Sequence, residues 1–222
     1  MGEAGVMAGT LWVRVKSAYE AECAEQGGAD RLVVTSLDTL APTPKLVASV
    51  RQASSVHLRV LLRLQEGYTT NGGEMSKLKG LAFACAEAGA DGFVSGFLNA
   101  MSGIDLPACA ELIGQATWPW SFDRAIDAVL NQDQAWATLE TLPRLDSVIT
   151  AGSARQVEQG LDRLIALAKN RLPVVAAGGL QPEHVPWLAR AGVTNFLVDS
   201  PPTGAPGVRA WRRLIDAELS RR

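Results

Sequence analysis

The chain contains few of the side chains that usually bind metals or attack substrates. It has three cysteines and two histidines in 222 residues, and no two cysteines form a Cys-x-x-Cys pair. Cys23, Cys85 and Cys109 each fall within a predicted helix, which indicates reduced thiols packed in a core and not a disulfide framework. His57 and His184 are interpreted as structural, because no His-x-His, His-Glu-x-x-His or Cys-His cluster is present. The spacing therefore predicts no metal site.

Several other function classes find no support in the sequence. There is no Gly-x-Ser-x-Gly serine elbow and no Gly-x-Gly-x-x-Gly dinucleotide fingerprint after the first strand. The net charge is only −2 and is spread along the chain, so nothing indicates a nucleic-acid partner. No apolar run approaches the ~20 residues of a membrane span, and the first ten residues do not resemble a signal peptide. We therefore expect a cytoplasmic protein without nucleic-acid or membrane partners.

A short turn recurs in the sequence between a helical run and a strand. Gly27–Asp30, Gly89–Asp91 and Ala191–Thr194 each end an Ala-rich amphipathic run and precede a β-branched or aromatic run. A glycine after a helix adopts the left-handed conformation that other residues reach only with strain. Repetition of helix, turn and strand predicts a parallel sheet with helical crossovers.

Eight strand–helix units can be counted along the chain. The predicted strands cover 11–16, 31–36, 57–64, 92–95, 118–122, 147–150, 173–176 and 194–198. Capping boxes at Ser17 and Ser153 predict two helix starts, and another helix is expected over 127–142. Most strands are continuous apolar runs, as in a sheet covered by helices. The sequence predicts a single (β/α)8 barrel over 11–222 after a flexible tail over 1–10, with a doubly wound open sheet as the alternative.

Glycine-bearing loops follow the last three predicted strands. In barrels of this kind the strand-to-helix loops build the functional face, and a phosphate often binds between the seventh and eighth of them. The candidate anion-binding residues are Gly152, Gly178, Gly179 and Ser200. The alternative is that these glycines only form tight turns.

Charged side chains also gather at the predicted strand ends. The candidate catalytic residues are Lys16, Arg63, Asp123, Arg124 and Asp199. If they point into the barrel mouth, they form a pocket for a small anionic molecule or for acid–base chemistry. Arg63 and Arg124 would then hold the anion, and Asp123 or Lys16 would transfer a proton. The alternative is a salt-bridge network that fills the top layer of the barrel.

Two further features are left open by the sequence. Period-two alternation does not decide whether Arg14 and Arg59 lie deep in the barrel or face the helices. The loop over 65–73 contains Tyr68 and ends in two glycines. It is interpreted either as a mobile lid over the mouth or as a passive cover.

An ordered set of motifs resembles the CutC copper-homeostasis family. The motifs are Ala24–Leu32, Leu40–Pro44, Arg63, Gly89–Gly92, Gly96–Leu98, Gly103–Asp105, Ser121–Asp127, Val148–Gly152 and Ala177–Leu180. The resemblance extends over residues 12–200. It implies a cytoplasmic (β/α)8 barrel that is often a homodimer, is linked to copper tolerance and has copper as its associated metal.

The chain departs from this family at the positions that would bind copper. The family's acid and cysteine on strand one, and again on strand two, correspond here to Trp12, Arg14, Val33 and Thr35. Its histidines on strands three, five and eight correspond to Arg59, Asp123, and Leu197 or its neighbour. Cu(I) prefers thiolate, thioether or imidazole ligands, so the sequence predicts a copper-homeostasis relative that does not ligate copper there. The alternatives are a barrel enzyme acting on an anionic or phosphorylated substrate, and a degenerate barrel that serves as a binding or scaffold protein.

Overall fold

Eight parallel strands close into a barrel in which each strand pairs with the next and β8 pairs with β1. The computed structural model describes residues 9–114 and 117–221. The strands are β1 (Thr10–Val15), β2 (Arg31–Val34), β3 (His57–Leu61), β4 (Gly92–Ser95), β5 (Trp120–Phe122), β6 (Leu145–Thr150), β7 (Val174–Ala176) and β8 (Asn195–Asp199). The predicted (β/α)8 barrel is confirmed, and closure between β1 and β8 rules out the open sheet.

Helices cover the outside of the barrel. They are α1 (Ala18–Gln26), α2 (Pro44–Ala53), α3 (Gly72–Glu87), α4 (Leu106–Ile113), α5 (Gln132–Leu139), α6 (Val157–Leu167), α7 (Val185–Ala191) and α8 (Ala205–Leu219). Two 3-10 helices, Arg124–Ala128 and Pro182–His184, precede α5 and α7. Among the helices of the described residues, none has the length and apolar character needed to cross a membrane.

The repeated glycine turns join helices to strands as predicted. Gly28, Gly89 and Gly192 have φ angles of +89°, +104° and +115°, the left-handed region that favours glycine. In two of these turns the following aspartate then fixes the neighbouring strand. The Asp30 carboxylate accepts a hydrogen bond of 2.7 Å from the Leu11 N–H, and Asp91 does the same for Leu58. The repeated motif is thus a device that aligns adjacent strands at their amino ends.

Apolar side chains cover both faces of the sheet. The outer layer lies between the strands and the helices. The inner layer fills the centre of the barrel with the side chains of Trp12, Val33, Leu61, Val94, Ile149, Val175, Ala177 and Leu197. Because this centre is packed, a ligand site can lie only at an end of the barrel.

One predicted helix start is confirmed and three local predictions differ from the structure. The Ser17 hydroxyl caps α1 by accepting a hydrogen bond of 3.2 Å from the Glu20 N–H. The capping box at Ser153 is wrong, because α6 begins at Val157 after Gln156; the Ser153 hydroxyl donates to the Gln156 carbonyl instead. The helix expected over 127–142 is divided into a 3-10 turn and the shorter α5. Residues 1–8 of the predicted tail lie outside the described residues, and its last residue, Thr10, begins β1.

The ladder between β5 and β6 contains one extra residue. Trp120 pairs with Leu145, but Ser121 pairs with Ser147, so Asp146 is the additional residue of a bulge. Leu145 packs in the outer apolar layer, whereas Asp146 and Ser147 both make contacts in the barrel interior. The bulge therefore directs two consecutive polar side chains inward.

These polar side chains form what we call the barrel floor, consisting of Trp12, Arg59, Ser121, Asp146 and Ser147. Arg59 is completely buried and forms a two-pronged ion pair with Asp146, with Nη1 at 2.8 Å from Oδ1. Its Nη1 also donates to the Ser121 hydroxyl, which lies 2.7 Å from the Ser147 hydroxyl. Arg59 thus lies deep inside the barrel and does not face the helices.

Positive charge at the floor also affects His57, at the start of β3. The guanidinium carbons of Arg31 and Arg59 lie 4.8 Å and 5.1 Å from the centre of the Trp12 ring. Burial lowers the pKa of His57 below its ordinary value, and the nearby charges of Arg31 and Arg59 lower that pKa further. The protonated form of His57 is therefore disfavoured, and this residue lies at the end of the barrel opposite the strand-to-helix loops.

Candidate functional site

The carboxyl ends of the strands surround a cavity of about 190 Å³, here called the central cavity. Its base is apolar and consists of Val33, Leu61, Val94, Ile149 and Leu197. Its rim is polar and consists of Arg14, Thr35, Thr39, Arg63, Tyr68, Asp123 and Arg124. The predicted strand-end residues Arg63, Asp123 and Arg124 are thus brought together in the barrel mouth.

Arg63 and Asp123 form a buried ion pair on this rim. Asp123 is 4% exposed, and its Oδ1 accepts a 2.8 Å hydrogen bond from the Ala125 N–H. The Arg63 guanidinium lies over the Tyr68 ring, 4.6 Å from the ring centre. Burial lowers the pKa of Arg63, Tyr68 opposes this shift, and the positive charge of Arg14 adds to it. Two guanidinium groups therefore repel each other across the mouth, which favours an anion between them.

Arg124 joins the loops that follow β5 and β6. Its Nε donates to Asp127 Oδ2 at 2.8 Å, and its Nη2 donates to the Arg155 carbonyl at 2.7 Å. Asp127 is itself fixed by the Thr150 hydroxyl and by the Ala151 N–H. The sequence analysis did not identify Asp127 as a site residue, although its position three residues after Arg124 in a short helix is a usable signal.

Arg14 forms the third ion pair of the mouth, with Asp199 at the end of β8. Its Nη1 lies 2.8 Å from Asp199 Oδ1, and the side chains are 23% and 75% exposed, respectively. Water screens such a pair strongly, so it contributes little to stability. The sequence named Asp199 but left the direction of Arg14 open, and the structure places Arg14 in the mouth.

A second cavity, of about 330 Å³, lies between the loops after β7 and β8 and is called here the β7–β8 cavity. It includes the predicted residues Gly178, Gly179, Ser200 and Asp199. Gly178 and Gly179 have φ angles of +92° and +72°. Among the described residues, no acceptor pairs with their two N–H groups or with the Ser200 hydroxyl. The Ser200 N–H, in contrast, already donates to the Arg14 carbonyl at 3.0 Å.

Two predicted site residues lie apart from both cavities. Lys16 contributes to the lining of neither one, and its backbone N–H donates to the Glu20 carboxylate. The Gly152 N–H donates to the Thr150 hydroxyl at 2.9 Å. A Cβ on Gly152 would collide with the backbone of Gly160 in α6, so Gly152 allows close packing of helix on strand.

Thr35 and Tyr68 are rim residues that the sequence did not list among the site residues. Thr35 is fully buried, and its hydroxyl has no hydrogen-bond partner within the described part of the chain. The Tyr68 carbonyl accepts from the Leu98 N–H at 2.8 Å, which ties the 65–73 loop to the loop after β4. Because Tyr68 lines the central cavity, the 65–73 loop forms one wall of it.

The cysteines of the described residues do not suit Cu(I). Cys23, Cys85 and Cys109 are buried on three different helices. Burial raises the pKa of Cys85 to about 11 and that of Cys109 to about 12, so both remain thiols, whereas the metal binds thiolate. In residues 9–114 and 117–221, no group of three or more His, Cys, Asp or Glu side chains is placed to hold a metal ion.

Comparisons of the sequence with known proteins indicate one family. A model described as the CutC family matches residues 10–200. The chain is 31% identical over 218 residues to the human copper homeostasis protein cutC homolog, covering 94% of this chain and 80% of that protein. It is 29% identical over 187 residues to a CutC family protein of Klebsiella pneumoniae, covering 79% and 74%.

A solved structure has a similar fold. The backbone is similar to the crystal structure of the putative copper homeostasis protein CutC from Streptococcus agalactiae, with a TM-score of 0.78 and 15% identity. The similarity covers 86% of this chain and 98% of that one. Because the family model spans most of the sequence, the chain belongs to the CutC family.

Proposed function

We propose that this protein contributes to copper homeostasis in the cytoplasm by binding a small anionic molecule in its barrel mouth, and not by ligating copper itself. The link to copper is supported by the names of the human and streptococcal relatives. The observation that carries the proposal is the rim of the central cavity, where the guanidinium groups of Arg14, Arg63 and Arg124 converge. Asp123 lines this cavity as well, whereas the partners of Arg14 and Arg124, Asp199 and Asp127, lie outside its lining.

The shape of the central cavity supports a small ligand. Its volume of about 190 Å³ is below the ~300–1,000 Å³ of drug-sized sites. The apolar base accepts a short hydrocarbon or aromatic part, and the cationic rim accepts a carboxylate or phosphate. Arg63 is well suited to this role, because its guanidinium is already oriented by Asp123 and Tyr68 and a planar guanidinium can bind an oxyanion through two donors.

An indirect role in copper metabolism follows from the same residues. By its resemblance to the family, the chain has Arg14, Thr35 and Arg59 where the family has thiols and an imidazole on strands one, two and three. Arg14 and Thr35 line the central cavity, whereas Arg59 lies in the floor. Guanidinium and hydroxyl groups do not bind Cu(I), so a mouth of this kind recognises an anion instead.

Cu(I) affinity measured without oxygen on the reduced protein, against a calibrated competing chelator, tests the copper part of this proposal. We expect no stoichiometric competition. Tight one-to-one binding would contradict the proposal, and cysteine-to-serine variants at positions 23, 85 and 109 would then identify the ligands.

Calorimetric titration with benzoate and with inorganic phosphate tests the anion part. We expect benzoate binding that weakens about tenfold in Arg63→Lys, which retains the charge but loses the two-donor geometry. The matched control is Arg163→Lys, which changes a surface arginine paired with Asp133 and should leave the affinity unchanged. Absence of binding for both anions would refute the proposed function.

A further inference from the structure

We propose that the ligand of the mouth is a phosphomonoester with a small apolar body, and that Arg14 moves from Asp199 to the phosphate when this ligand binds. The inference rests on the proposed function and specifies the class of anion and the place of each of its parts. The apolar body lies in the central cavity, and the phosphate lies in the β7–β8 cavity.

The two cavities are neighbours that share a wall. Arg14 and Leu197 line both of them. The backbone of Arg14 is fixed there, because its carbonyl accepts from the Ser200 N–H at 3.0 Å. Its side chain can therefore change partner while its main chain remains in place. A ligand that occupies both cavities must pass this guanidinium.

The central cavity suits the body of the ligand. Its base is formed by aliphatic side chains from five different strands, so it favours an apolar group. The buried hydroxyl of Thr35 lies in its wall without a partner among the described residues. A buried polar group without a partner is costly, so an oxygen near the ester linkage would give this hydroxyl a hydrogen bond that none of the described residues supplies.

The β7–β8 cavity suits a phosphate. The successive N–H groups of Gly178 and Gly179 donate to none of the described residues, and successive free amides form an anion-binding concavity. The Ser200 hydroxyl adds a donor. Arg124 lies directly beside Gly178, since a Cβ on Gly178 would be 2.6 Å from the Arg124 Nη1. These donors are more numerous than the two oxygens of a carboxylate can accept, so they suit a phosphate better.

Among the three ion pairs of the mouth, that of Arg14 is the one that can be exchanged. The carboxylates of Asp123 and Asp127 are 5% and 4% exposed, so removing their partners would leave buried charges. Asp199 is 75% exposed and returns to water at little cost. A phosphomonoester carries a charge of about −1.5 to −2 at pH 7 and therefore competes for Arg14 more strongly than one carboxylate does.

Calorimetric titration at fixed ionic strength, with phenyl phosphate, inorganic phosphate and benzoate as probes, tests this inference. In the unchanged protein, phenyl phosphate should bind about tenfold or more tighter than either fragment, since it fills both cavities. Asp199→Asn should tighten phenyl phosphate binding by about three- to fivefold, because it releases Arg14. Arg14→Gln should weaken that binding by at least about tenfold.

Asp133→Asn and Arg163→Gln are matched controls. They change another exposed Arg–Asp pair, at 3.1 Å between α5 and α6, by the same charges, and should alter the affinity less than about twofold. Because Asp199→Asn predicts a gain of binding at an exposed position, a folding defect cannot imitate it.

The outcomes separate the inference from the proposed function. If benzoate binds as tightly as phenyl phosphate and depends on Arg63, the phosphate inference is wrong and the proposed function stands. If Asp199→Asn leaves phenyl phosphate binding unchanged or weakens it, the exchange of Arg14 is wrong. If none of the three probes binds, both proposals are wrong.

Discussion

At the barrel floor the side chains of Arg59 and Asp146 are 0% and 38% exposed, whereas at the mouth the side chains of Arg14 and Asp199 are 23% and 75% exposed. The two pairs have the same chemical groups and lie inside the same barrel. They differ in what surrounds them: serine hydroxyls and Trp12 at the floor, and two cavities at the mouth.

Burial decides what each pair does. A buried guanidinium that loses its carboxylate has no water to replace it, so the floor pair maintains one structure. An exposed pair exchanges readily with solvent or with another anion, so the mouth pair is suited to reversible binding. The barrel thus separates stability from recognition along its axis, as (β/α)8 folds generally do.

The largest effect should come from breaking the floor. Asp146→Ala leaves the completely buried Arg59 guanidinium without its counter-charge, and we expect the free energy of unfolding in urea to fall by about 3–5 kcal/mol. Asp133→Ala, at the exposed pair with Arg163, is the control and should cost less than about 1 kcal/mol. Equal losses in the two variants would show that burial does not distinguish these pairs.

A smaller effect is expected from adding one methyl group at the mouth. Gly178→Ala and Gly67→Ala both place a side chain at a φ of +92° or +84°, which costs about 1–2 kcal/mol each. A Cβ at Gly67 meets open space, whereas one at Gly178 meets Arg124. Gly178→Ala should therefore lose about 1–3 kcal/mol more in urea unfolding, and only this variant should weaken phenyl phosphate binding. Equal losses of unfolding free energy in the two variants would mean that the Arg124 side chain moves away from the new methyl group at little cost.

The smallest effect should be the pH dependence of the floor. The pKa of His57 is lowered in the folded protein, so the unfolded chain binds a proton more readily. The contribution of neutral His57 to the free energy of unfolding is then complete above the unfolded-state pKa of about 6.5. It decreases as the pH falls towards the lower pKa of His57 in the folded protein. Urea unfolding of His57→Gln at a series of pH values from 8 to 5 should show a weaker acid-side loss than the unchanged protein. An identical pH profile would show that His57 does not contribute to the pH dependence of stability.

Much of the fold was readable from the sequence, because its signals are local. The Gly-Ala-Asp turns at Gly27–Asp30 and Gly89–Asp91 mark the ends of helices by backbone conformation alone. Eight apolar runs separated by helical patterns then leave few topologies. The strand-end residues Arg63 and Asp123 were also accessible, since all strands of a parallel barrel end at the same face.

The features that were missed depend on register and on contacts between distant segments. The direction of Arg14 is set by its pairing opposite Asp199 in β8, 185 residues away. The Arg124–Asp127 pair depends on a 3-10 turn that interrupts a longer helical pattern. Lys16 lies one position beyond the end of β1, where strict alternation no longer applies. Ser153 failed as a cap because its hydroxyl binds within its own loop.

The extra residue at Asp146 makes the charge of Arg59 a check on strand register. In a regular ladder counted back from Ile149, Asp146 would face the helices, and the Arg59 guanidinium would have no counter-charge among the apolar side chains. A barrel closed one residue out of step would thus carry an uncompensated buried charge in addition to misplaced side chains. The Arg59–Asp146 pair therefore favours the correct register of β6 over a shifted one, an effect that its contribution to equilibrium stability does not reveal.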